Sequence, residues 1–296
     1  MPLKNRKKCA SVAIVGLGLL GSSLGKALKN KGYRRLGWTR KKALRKKAVS
    51  EDIVDECPDS LNDILARSDI TVLCLPIPQI IAYAISRAAF FKKGSVVTDI
   101  GSVKEIICRT LVPELKKYGV EFIGSHPMAG TEKSGMDAAF RELYDSASVF
   151  ITPDDNAPPK AVAAIKKLWE SINTRTVRIS PKEHDLLVAS SSHLPHIVSM
   201  ALTHAVLGCE DKTRKMRYAA CAGGFKDTSR ISSSSPLMWR EIIQHNRRPV
   251  LNAMRDFEKR LKNIREHIEA ENYDALQQKF ALGKKLRDDW IKSGKA

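Results

Sequence analysis

Residues 11–21 read SVAIVGLGLLG, an apolar run typical of a buried strand that ends in a Gly-x-Gly-x-x-Gly loop. The amphipathic stretch SSLGKALKN follows directly and is typical of a helix. Glycines between a strand and a helix allow a tight turn and let a pyrophosphate approach the N-terminus of the helix. The stretch therefore predicts a dinucleotide-binding fold. We expect the whole loop to bind the cofactor, namely Gly16, Leu17, Gly18, Leu19, Leu20 and Gly21.

Six further apolar runs of β character continue this pattern, at 34–39, 70–77, 95–102, 120–125, 148–152 and 175–180. Amphipathic segments separate them, and apolar strands between helices are typical of a parallel sheet covered on both faces. After about Pro181 the strand signal stops and long helical stretches follow. We therefore predict an α/β fold with a doubly wound, mostly parallel Rossmann-type sheet at 1–180, followed by an all-helical C-terminal domain at 181–296.

Length and composition agree with two soluble domains. The chain has 296 residues, of which 43% are hydrophobic and 28% are charged. Its six cysteines form no Cys-x-x-Cys pair, so neither a zinc site nor a disulfide framework is indicated, and we expect no metal. We find no stretch that approaches the roughly 18 apolar residues of a membrane span. A cytoplasmic protein that does not bind membranes is therefore expected.

The net charge of +19 is unusual and predicts an anionic partner. Nucleic acid and small polyanionic metabolites are both compatible with this charge. Part of it is concentrated after the second β run, because the segment from Lys31 to Ser50 contains nine Lys or Arg residues and no Asp or Glu.

The second β run ends in Thr39, where dinucleotide-binding folds usually carry an Asp or Glu that binds the adenosine ribose. Arg40 and Lys41 follow it. A carboxylate would repel the 2′-phosphate of NADP, whereas a threonine with neighbouring cations would bind it. We therefore predict NADP in preference to NAD, and the alternative is a solvated basic helix face. Leu75 and Pro76, at the end of the third run, and Ser102, at the end of the fourth, are expected to line the same cofactor site.

Polar residues follow two of the strands at the sheet edge where ligands of open α/β sheets bind. They are Ser102 in DIGSVK and His126 in GSHP. At the start of the helical part, Asp185, Ser192 and His196 are spaced by seven and four residues, which predicts a common helix face.

The same spacing places His193 on a different face, and Pro195 is expected to kink the helix. Lys226 and Arg230 form a last candidate pair, four residues apart in GGFKDTSR.

Six sequence blocks carry these candidates: GLGLLGSSLG, TDIGSVK, GSHPMAGTEKSG, HDLLVASSSHLPH, AGGFKDTSRI and SPLMWREI. In this order they resemble one family, the prephenate and arogenate dehydrogenases of tyrosine biosynthesis. The resemblance extends from about Val12 to Phe257, and SHPMAG and SHLPH are its most specific parts. It implies an oxidative decarboxylation, in which a cyclohexadienol loses hydride from ring carbon 4 to NADP and loses its ring carboxylate as carbon dioxide. Prephenate would give 4-hydroxyphenylpyruvate, and arogenate would give tyrosine.

The resemblance also assigns roles to the candidate residues. His126 would accept a proton from the 4-hydroxyl of the substrate, and Ser102 would hydrogen-bond both this hydroxyl and the histidine. Arg230 would bind a substrate carboxylate, with Lys226 nearby. His196 would line the pocket with Asp185 as its polar companion. The other expected substrate-side residues are Ser192, Glu132, Gly223 and Trp239. A homodimer formed through the helical domain is expected.

Two other classes of protein stay open at this point. A β-hydroxyacid or 6-phosphogluconate type dehydrogenase shares the plan of a sheet followed by helices, but that class uses a helical lysine with a nearby asparagine, and no matching lysine precedes SHLPH. A basic nucleic-acid-binding protein with a dinucleotide fold would explain the charge, but the chain has no recognition motif for nucleic acid. Prephenate and arogenate differ by one ammonium group, and the sequence does not choose between them.

Overall fold

The computed structural model of the protein describes residues 9–208 and 213–294. Cys209 lies outside these ranges, and the five described cysteines are all free thiols. The described residues form eight strands, and every predicted β run overlaps at least one of them. The strands are β1 Ala10–Val15, β2 Tyr33–Trp38, β3 Ile70–Leu73, β4 Val96–Asp99, β5 Glu121–Phe122, β6 Gly124–Pro127, β7 Ser148–Thr152 and β8 Arg175–Arg178.

The first five strands form one sheet in the order β2-β1-β3-β4-β5, and all its pairings are parallel. Within β1, Val12 and Ile14 belong to one buried apolar cluster, while Ala13 and Val15 belong to another. Side chains of a strand alternate between the two faces of its sheet, so both faces are buried. This confirms the predicted doubly wound, Rossmann-type sheet.

Six α-helices accompany the strands, and seven more follow residue 180 among the described residues. The first six are α1 Leu19–Ala27, α2 Lys42–Ser50, α3 Leu61–Arg67, α4 Ile77–Ser86, α5 Glu105–Lys116 and α6 Pro159–Glu170. The others are α7 Pro181–Val188, α8 Leu194–Leu207, α9 Arg214–Ala220, α10 Gly223–Ser229, α11 Pro236–His245, α12 Arg247–Glu269 and α13 Tyr273–Lys292. The described part of the chain after residue 180 contains no strand, as predicted.

Strands β6, β7 and β8 form a second sheet that the sequence did not indicate. The predicted run at 120–125 divides between the sheets, because β5 pairs with β4 whereas β6 runs antiparallel to β7. The N–H of Ile123 still donates to Val97 O at 2.9 Å, but the N–H of Ser125 donates to the Asp99 side chain at 3.2 Å. The carboxylate of Asp99 thus takes the place of the next backbone partner and ends the first sheet.

A buried polar cluster joins the two sheets at this point. Lys104 Nζ donates to the Asp99 carboxylate and, at 2.9 Å, to Ser125 O, and both charged side chains are fully buried. Ser125 Oγ donates to Asp99 O at 2.6 Å and accepts a hydrogen bond from Trp169 Nε1 at 3.0 Å. The cluster fixes the course of the chain from β5 into β6.

Residues 181–207 form a continuous helical segment, in which a π-helical turn at Ala189–His193 joins α7 to α8. Pro195 lies in the first turn of α8, where a missing N–H is tolerated, and the π turn is the irregularity that the structure shows near it. The segment is long and apolar enough to cross a membrane by length and composition alone, so our expectation that no stretch reaches this limit was wrong. Core helices of soluble proteins pass the same test, and Asp185 and His193 in this segment are buried polar residues.

The chain divides into two compact units, residues 1–247 and 248–296. The boundary predicted after residue 180 falls inside the first unit, which contains both sheets and the helices up to α11. The second unit contains most of α12 and all of α13, and Asn272 caps α13 by accepting a hydrogen bond from Ala275 N at 3.1 Å. The large exposed apolar side chains of this unit include Leu261, Ile268, Phe280, Leu286 and Trp290.

Replacing the buried lysine should destabilise the fold. We expect Lys104→Met to lower the free energy of unfolding by about 3–5 kcal/mol, because the Asp99 carboxylate stays buried without its counter-ion. Urea denaturation followed by circular dichroism measures this change. The double variant Lys104→Met/Asp99→Asn removes both charges and should recover most of the loss. A single variant as stable as the unmodified protein would contradict the role of the ion pair.

Candidate active site

The glycine loop between β1 and α1 forms a tight turn. Gly16 has a φ of +102°, and a Cβ at this position would lie 2.2 Å from Cys74 O. A Cβ on Gly21 would lie 1.9 Å from Gly16 O. Gly18 differs from both, since a Cβ placed there has nothing within 4 Å. Gly16 and Gly21 are therefore required by the fold, whereas Gly18 leaves open space at the N-terminus of α1.

This open space has the features that a dinucleotide pyrophosphate requires. Gly18 is the N-cap of α1 and no side chain caps the helix, so backbone N–H groups of the first turn remain available to an anion at the positive end of the helix dipole. Leu75 lies against the loop, because its Cδ2 would be 2.9 Å from a Cβ on Gly16. Pro76 is exposed at the N-terminus of α4. The loop therefore fits the pyrophosphate of NAD or NADP.

The end of β2 carries the predicted cofactor-selecting residues. Thr39 is buried, and its carbonyl oxygen accepts a hydrogen bond from Arg45 Nε at 2.9 Å. Four of the nine basic residues at 31–50 are paired with carboxylates, namely Arg34, Arg35, Arg45 and Lys47. Arg40 and Lys41 are exposed and form no ion pair with any described residue. They are therefore available to a phosphate beside Thr39.

His126 begins a chain of hydrogen bonds. It lies in β6 and is almost completely buried, and its Nδ1 is 2.9 Å from Nε2 of His184 in α7. Nδ1 of His184 is 2.8 Å from Oδ1 of Asp185. The Asp185 carboxylate accepts hydrogen bonds from the backbone N–H groups of Lys104 at 2.7 Å and Glu105 at 3.0 Å. The predicted base is thus connected, through two side chains, to the N-terminus of α5.

The surroundings keep these imidazoles neutral. Burial, and next the neighbouring His184, hold the pKa of His126 well below its usual value. Burial lowers the pKa of His184 to about 2, and Lys104 and His193 act in the same direction. Burial also lowers the pKa of His193 to about 4, although Asp185 acts in the opposite direction. At neutral pH His126 therefore has a free lone pair with which to accept a proton.

A second polar group lies around Trp239, in α11. Asn246 Nδ2 donates to Asp185 O at 2.8 Å and lies 3.1 Å from His193 Nδ1. The ring centroid of Trp239 lies 5.8 Å from that of His193 and 4.0 Å from that of His196. The buried Trp239 Nε1 has no hydrogen-bond partner among the described residues. A buried polar atom without a partner indicates a place for a ligand contact.

The predicted carboxylate-binding arginine lies close to this group. Arg230 Nη1 is 3.6 Å from Glu132 Oε2. The pKa of His196 is lowered by burial and further by the charge of Arg230, so the two side chains are near each other. Lys226 and Gly223 lie in α10, one helix turn or more before Arg230, and both are exposed. Arg230 therefore lies beside the predicted pocket residues with its charge accessible to solvent.

The structure differs from the predicted site in three contacts. The described contacts include no hydrogen bond between Ser102 and His126, and the Ser102 backbone lies near the ring of His193 instead. The companion of Asp185 is His184, whereas His196 Nδ1 lies 3.0 Å from the backbone oxygen of Ser192. Ser192 thus contributes its main chain to the contact.

His193 was predicted to lie on a different helix face from Asp185. Asn246 connects the two residues, through the backbone oxygen of Asp185 and the ring of His193. Between them lies the π turn at Ala189–His193, which is wider than an α turn by about one residue and shifts the register of the residues after it.

Three residues of the cluster were missed by the sequence-based prediction. Lys104 ends the block TDIGSVK, and His184 directly precedes Asp185 in HDLLV, so both stood in sequence blocks that were already singled out. His193 was recognised in the sequence, but no role was predicted for it. Asn246 lies 61 residues from Asp185 and carries no local signal.

Comparison with known proteins identifies similar chains. Models described as prephenate dehydrogenase, nucleotide-binding domain and prephenate dehydrogenase, dimerization domain match residues 24–178 and 180–282. Cyclohexadienyl dehydrogenase of Zymomonas mobilis is 34% identical over 280 residues, which is 93% of this chain and 94% of that protein. The crystal structure of A. aeolicus prephenate dehydrogenase in complex with hydroxyphenyl propionate and NAD+ has a TM-score of 0.88 at 31% identity, covering 96% of this chain and 99% of that one. Synechocystis arogenate dehydrogenase has a TM-score of 0.82 at 30% identity, covering 95% and 99%.

Two alanine substitutions in the loop should affect different properties, one the binding of the dinucleotide and the other the stability of the fold. Gly18→Ala puts a methyl group into the open space and should raise the dissociation constant of the dinucleotide about tenfold, a cost of about 1.4 kcal/mol, with stability unchanged. Gly16→Ala, the matched control, should lower the free energy of unfolding by at least about 1–2 kcal/mol because of its positive φ. Calorimetric titration and urea denaturation measure the two quantities. A Gly18→Ala protein that binds the dinucleotide normally would contradict the assigned site.

Proposed function

The chain belongs to the prephenate dehydrogenase family, and we propose that it catalyses the NADP-dependent oxidative decarboxylation of prephenate, arogenate or both. The products would be 4-hydroxyphenylpyruvate from prephenate and tyrosine from arogenate. The observation that carries the proposal is the buried, neutral His126, held by His184 and Asp185 at the end of β6. Bound NADP supplies the acceptor for hydride.

His126 acts as the general base on the 4-hydroxyl of the substrate. The hydroxyl must lose its proton as hydride leaves the same carbon, and a neutral imidazole within hydrogen-bond reach performs this transfer. Burial favours the neutral form of His126 before reaction. Ser102 orients the hydroxyl from the end of β4. Lys104 lies beneath this region as a buried cation whose charge is balanced by Asp99.

Arg230 binds a carboxylate of the substrate through charge-assisted hydrogen bonds. Glu132 is its partner in the absence of substrate, at 3.6 Å, and this contact is long and exposed enough to be exchanged for a substrate carboxylate. His196 and Trp239 stack with ring centroids 4.0 Å apart and form a wall of the pocket beside Arg230. Lys226, Ser192 and Gly223 complete the substrate side.

Two features support NADP as the cofactor. Thr39 directly follows β2, where a carboxylate would repel the 2′-phosphate. Arg40 and Lys41 follow it and pair with no carboxylate in the described ranges. Gly18 leaves room for the pyrophosphate of either dinucleotide. The A. aeolicus structure is a complex with NAD+, so the choice between the two cofactors rests on the residues of this chain.

The assembly and location follow from the same family membership. We propose a homodimer formed through the helical domain, because the matched model of residues 180–282 is described as a dimerization domain. The exposed apolar side chains of α12 and α13 support this proposal, since contact with a second copy would remove them from water. A cytoplasmic enzyme that binds neither nucleic acid nor membranes is part of the same proposal.

One set of rate measurements tests both the proposed activity and the role of His126 as the general base. The protein should convert prephenate or arogenate with NADP, and His126→Asn should lower kcat by roughly 10²- to 10⁴-fold, because the general base is lost. Substrate affinity should change little. Steady-state rates with each substrate, each cofactor and each protein give the answer, and His204→Asn, an exposed position in α8, is the control. Near-normal turnover of His126→Asn would contradict its role.

The cofactor preference depends on the residues after β2. Two charge-assisted contacts of about 1.5–3 kcal/mol each predict a preference for NADP over NAD of roughly 10²-fold or more. Arg40→Ala should weaken NADP strongly and NAD hardly at all, because NAD lacks the phosphate. Thr39→Asp should reverse the preference, because it repels the phosphate and offers the ribose an acceptor. The measurement is kcat/KM with each cofactor at fixed ionic strength, and a native preference for NAD would contradict the assignment.

A further inference from the structure

The hydrogen bonds around His184 determine which ring nitrogen of His126 carries a proton. Asp185 can only accept at its two oxygens, since Oδ1 receives the Lys104 N–H and Oδ2 receives the Glu105 N–H. Nδ1 of His184, 2.8 Å from Oδ1, must therefore be the protonated nitrogen of that ring. Because His184 is neutral, its Nε2 is then an acceptor.

The same argument continues to His126. Its Nδ1 is 2.9 Å from Nε2 of His184, so Nδ1 of His126 carries the hydrogen and donates. Nε2 of His126 is then left with a free lone pair. A general base needs this lone pair directed at the substrate, and the other tautomer would present an N–H to the hydroxyl.

We propose that His184 is a positioning residue, which holds His126 in the Nδ1–H tautomer and connects it to the carboxylate of Asp185. This inference rests on the proposed function, because it assigns His126 as the base. His184 contacts neither substrate nor cofactor in this arrangement. It acts only through His126.

The charges around the two imidazoles support this role. The charged groups that face them are Lys104 from α5, Asp99 from β4 and Asp185 from α7, and the titratable neighbour is His193 from the π turn. Lys104 and Asp99 compensate each other. Asp185 remains as one negative charge, and a proton on His126 would make the cluster neutral. This negative charge can balance the proton that His126 accepts in the reaction, while burial and the neighbouring His184 hold the pKa of His126 low before it.

The packing shows that His184 is held in one orientation. Its side chain is fully buried, and its ring lies edge-on to those of His126 and Phe150, with centroids 5.1 and 5.5 Å away. Asp185 is fixed by backbone donors at the N-terminus of α5, so the chain of hydrogen bonds begins at a rigid point. A phenylalanine at position 184 would retain the packing and lose both hydrogen bonds, whereas a glutamine would retain an acceptor and a donor.

The test compares His184→Phe with His184→Gln in the full-length protein. In His184→Phe, kcat should fall roughly 10²-fold with KM nearly unchanged, because His126 is no longer held in one tautomer. The acid limb of the kcat–pH profile should move to higher pH, since an imidazole that holds the pKa of His126 low is lost. His184→Gln should keep kcat within about fivefold by the same reasoning. His204→Phe, at the exposed position in α8, is the matched control.

Nitrogen-15 NMR of histidine-labelled protein measures the tautomer of His126 in the absence of substrate. The resonances of His126 should show a protonated Nδ1 and an unprotonated Nε2, and His184→Phe should shift this ring toward the other tautomer. A protonated Nε2 in the unmodified protein would overturn the inference, as would equal losses of kcat in both His184 variants with no change of tautomer or pH profile. Absence of dehydrogenase activity in the unmodified protein would instead overturn the proposed function, while the NMR result would still decide the tautomer. If His184→Phe does not fold, the tautomer of His126 measured in the unmodified protein and in His184→Gln tests the inference.

Discussion

The Asp99 carboxylate and the Lys104 ammonium meet at a point that is closed to solvent, between β4, α5 and β6. Either charge alone would be strongly unfavourable there, so the two side chains have to be buried together. Their presence has a structural consequence beyond charge compensation. The carboxylate accepts the N–H of Ser125 where β4 would have offered a backbone oxygen, and the ammonium binds Ser125 O. The chain is thereby turned from the first sheet into the second, and His126 is the next residue.

The helices after residue 180 contact this region through α7 and the π turn that follows it. α7 provides His184 and Asp185, and the π turn after it provides His193, which shares Asn246 with Asp185. A regular α-helix with the same sequence would place His193 differently relative to α7, since the register would differ by about one residue. Irregular turns of this kind are frequent at functional sites.

The features that depend on a local sequence pattern could be predicted from the sequence. The features that depend on contacts between residues far apart in the chain could not. The glycine loop and the apolar strands have periodicity or spacing that is visible in a short window. The division of residues 120–125 between two sheets depends on a carboxylate more than 20 residues earlier. Likewise the position of His193 depends on a π turn, and the role of Asn246 on a contact across 61 residues. These features are set by tertiary contacts, which a short stretch of sequence does not contain.

The positive charge of the chain separates into cations that hold the fold and cations that are free to bind. Arg35 illustrates the first kind, because its guanidinium is buried between the carboxylates of Asp52 and Asp55 and cannot reach a ligand. A net charge of +19 therefore overstates the number of binding cations. A surface for nucleic acid needs uncompensated cations spread along many phosphates. In the segment 31–50, the exposed Arg40 and Lys41 directly follow a buried threonine at the end of one strand, beside the glycine loop in the chain order of the fold. The position of these charges, more than their number, favours a dinucleotide phosphate as the partner of this segment.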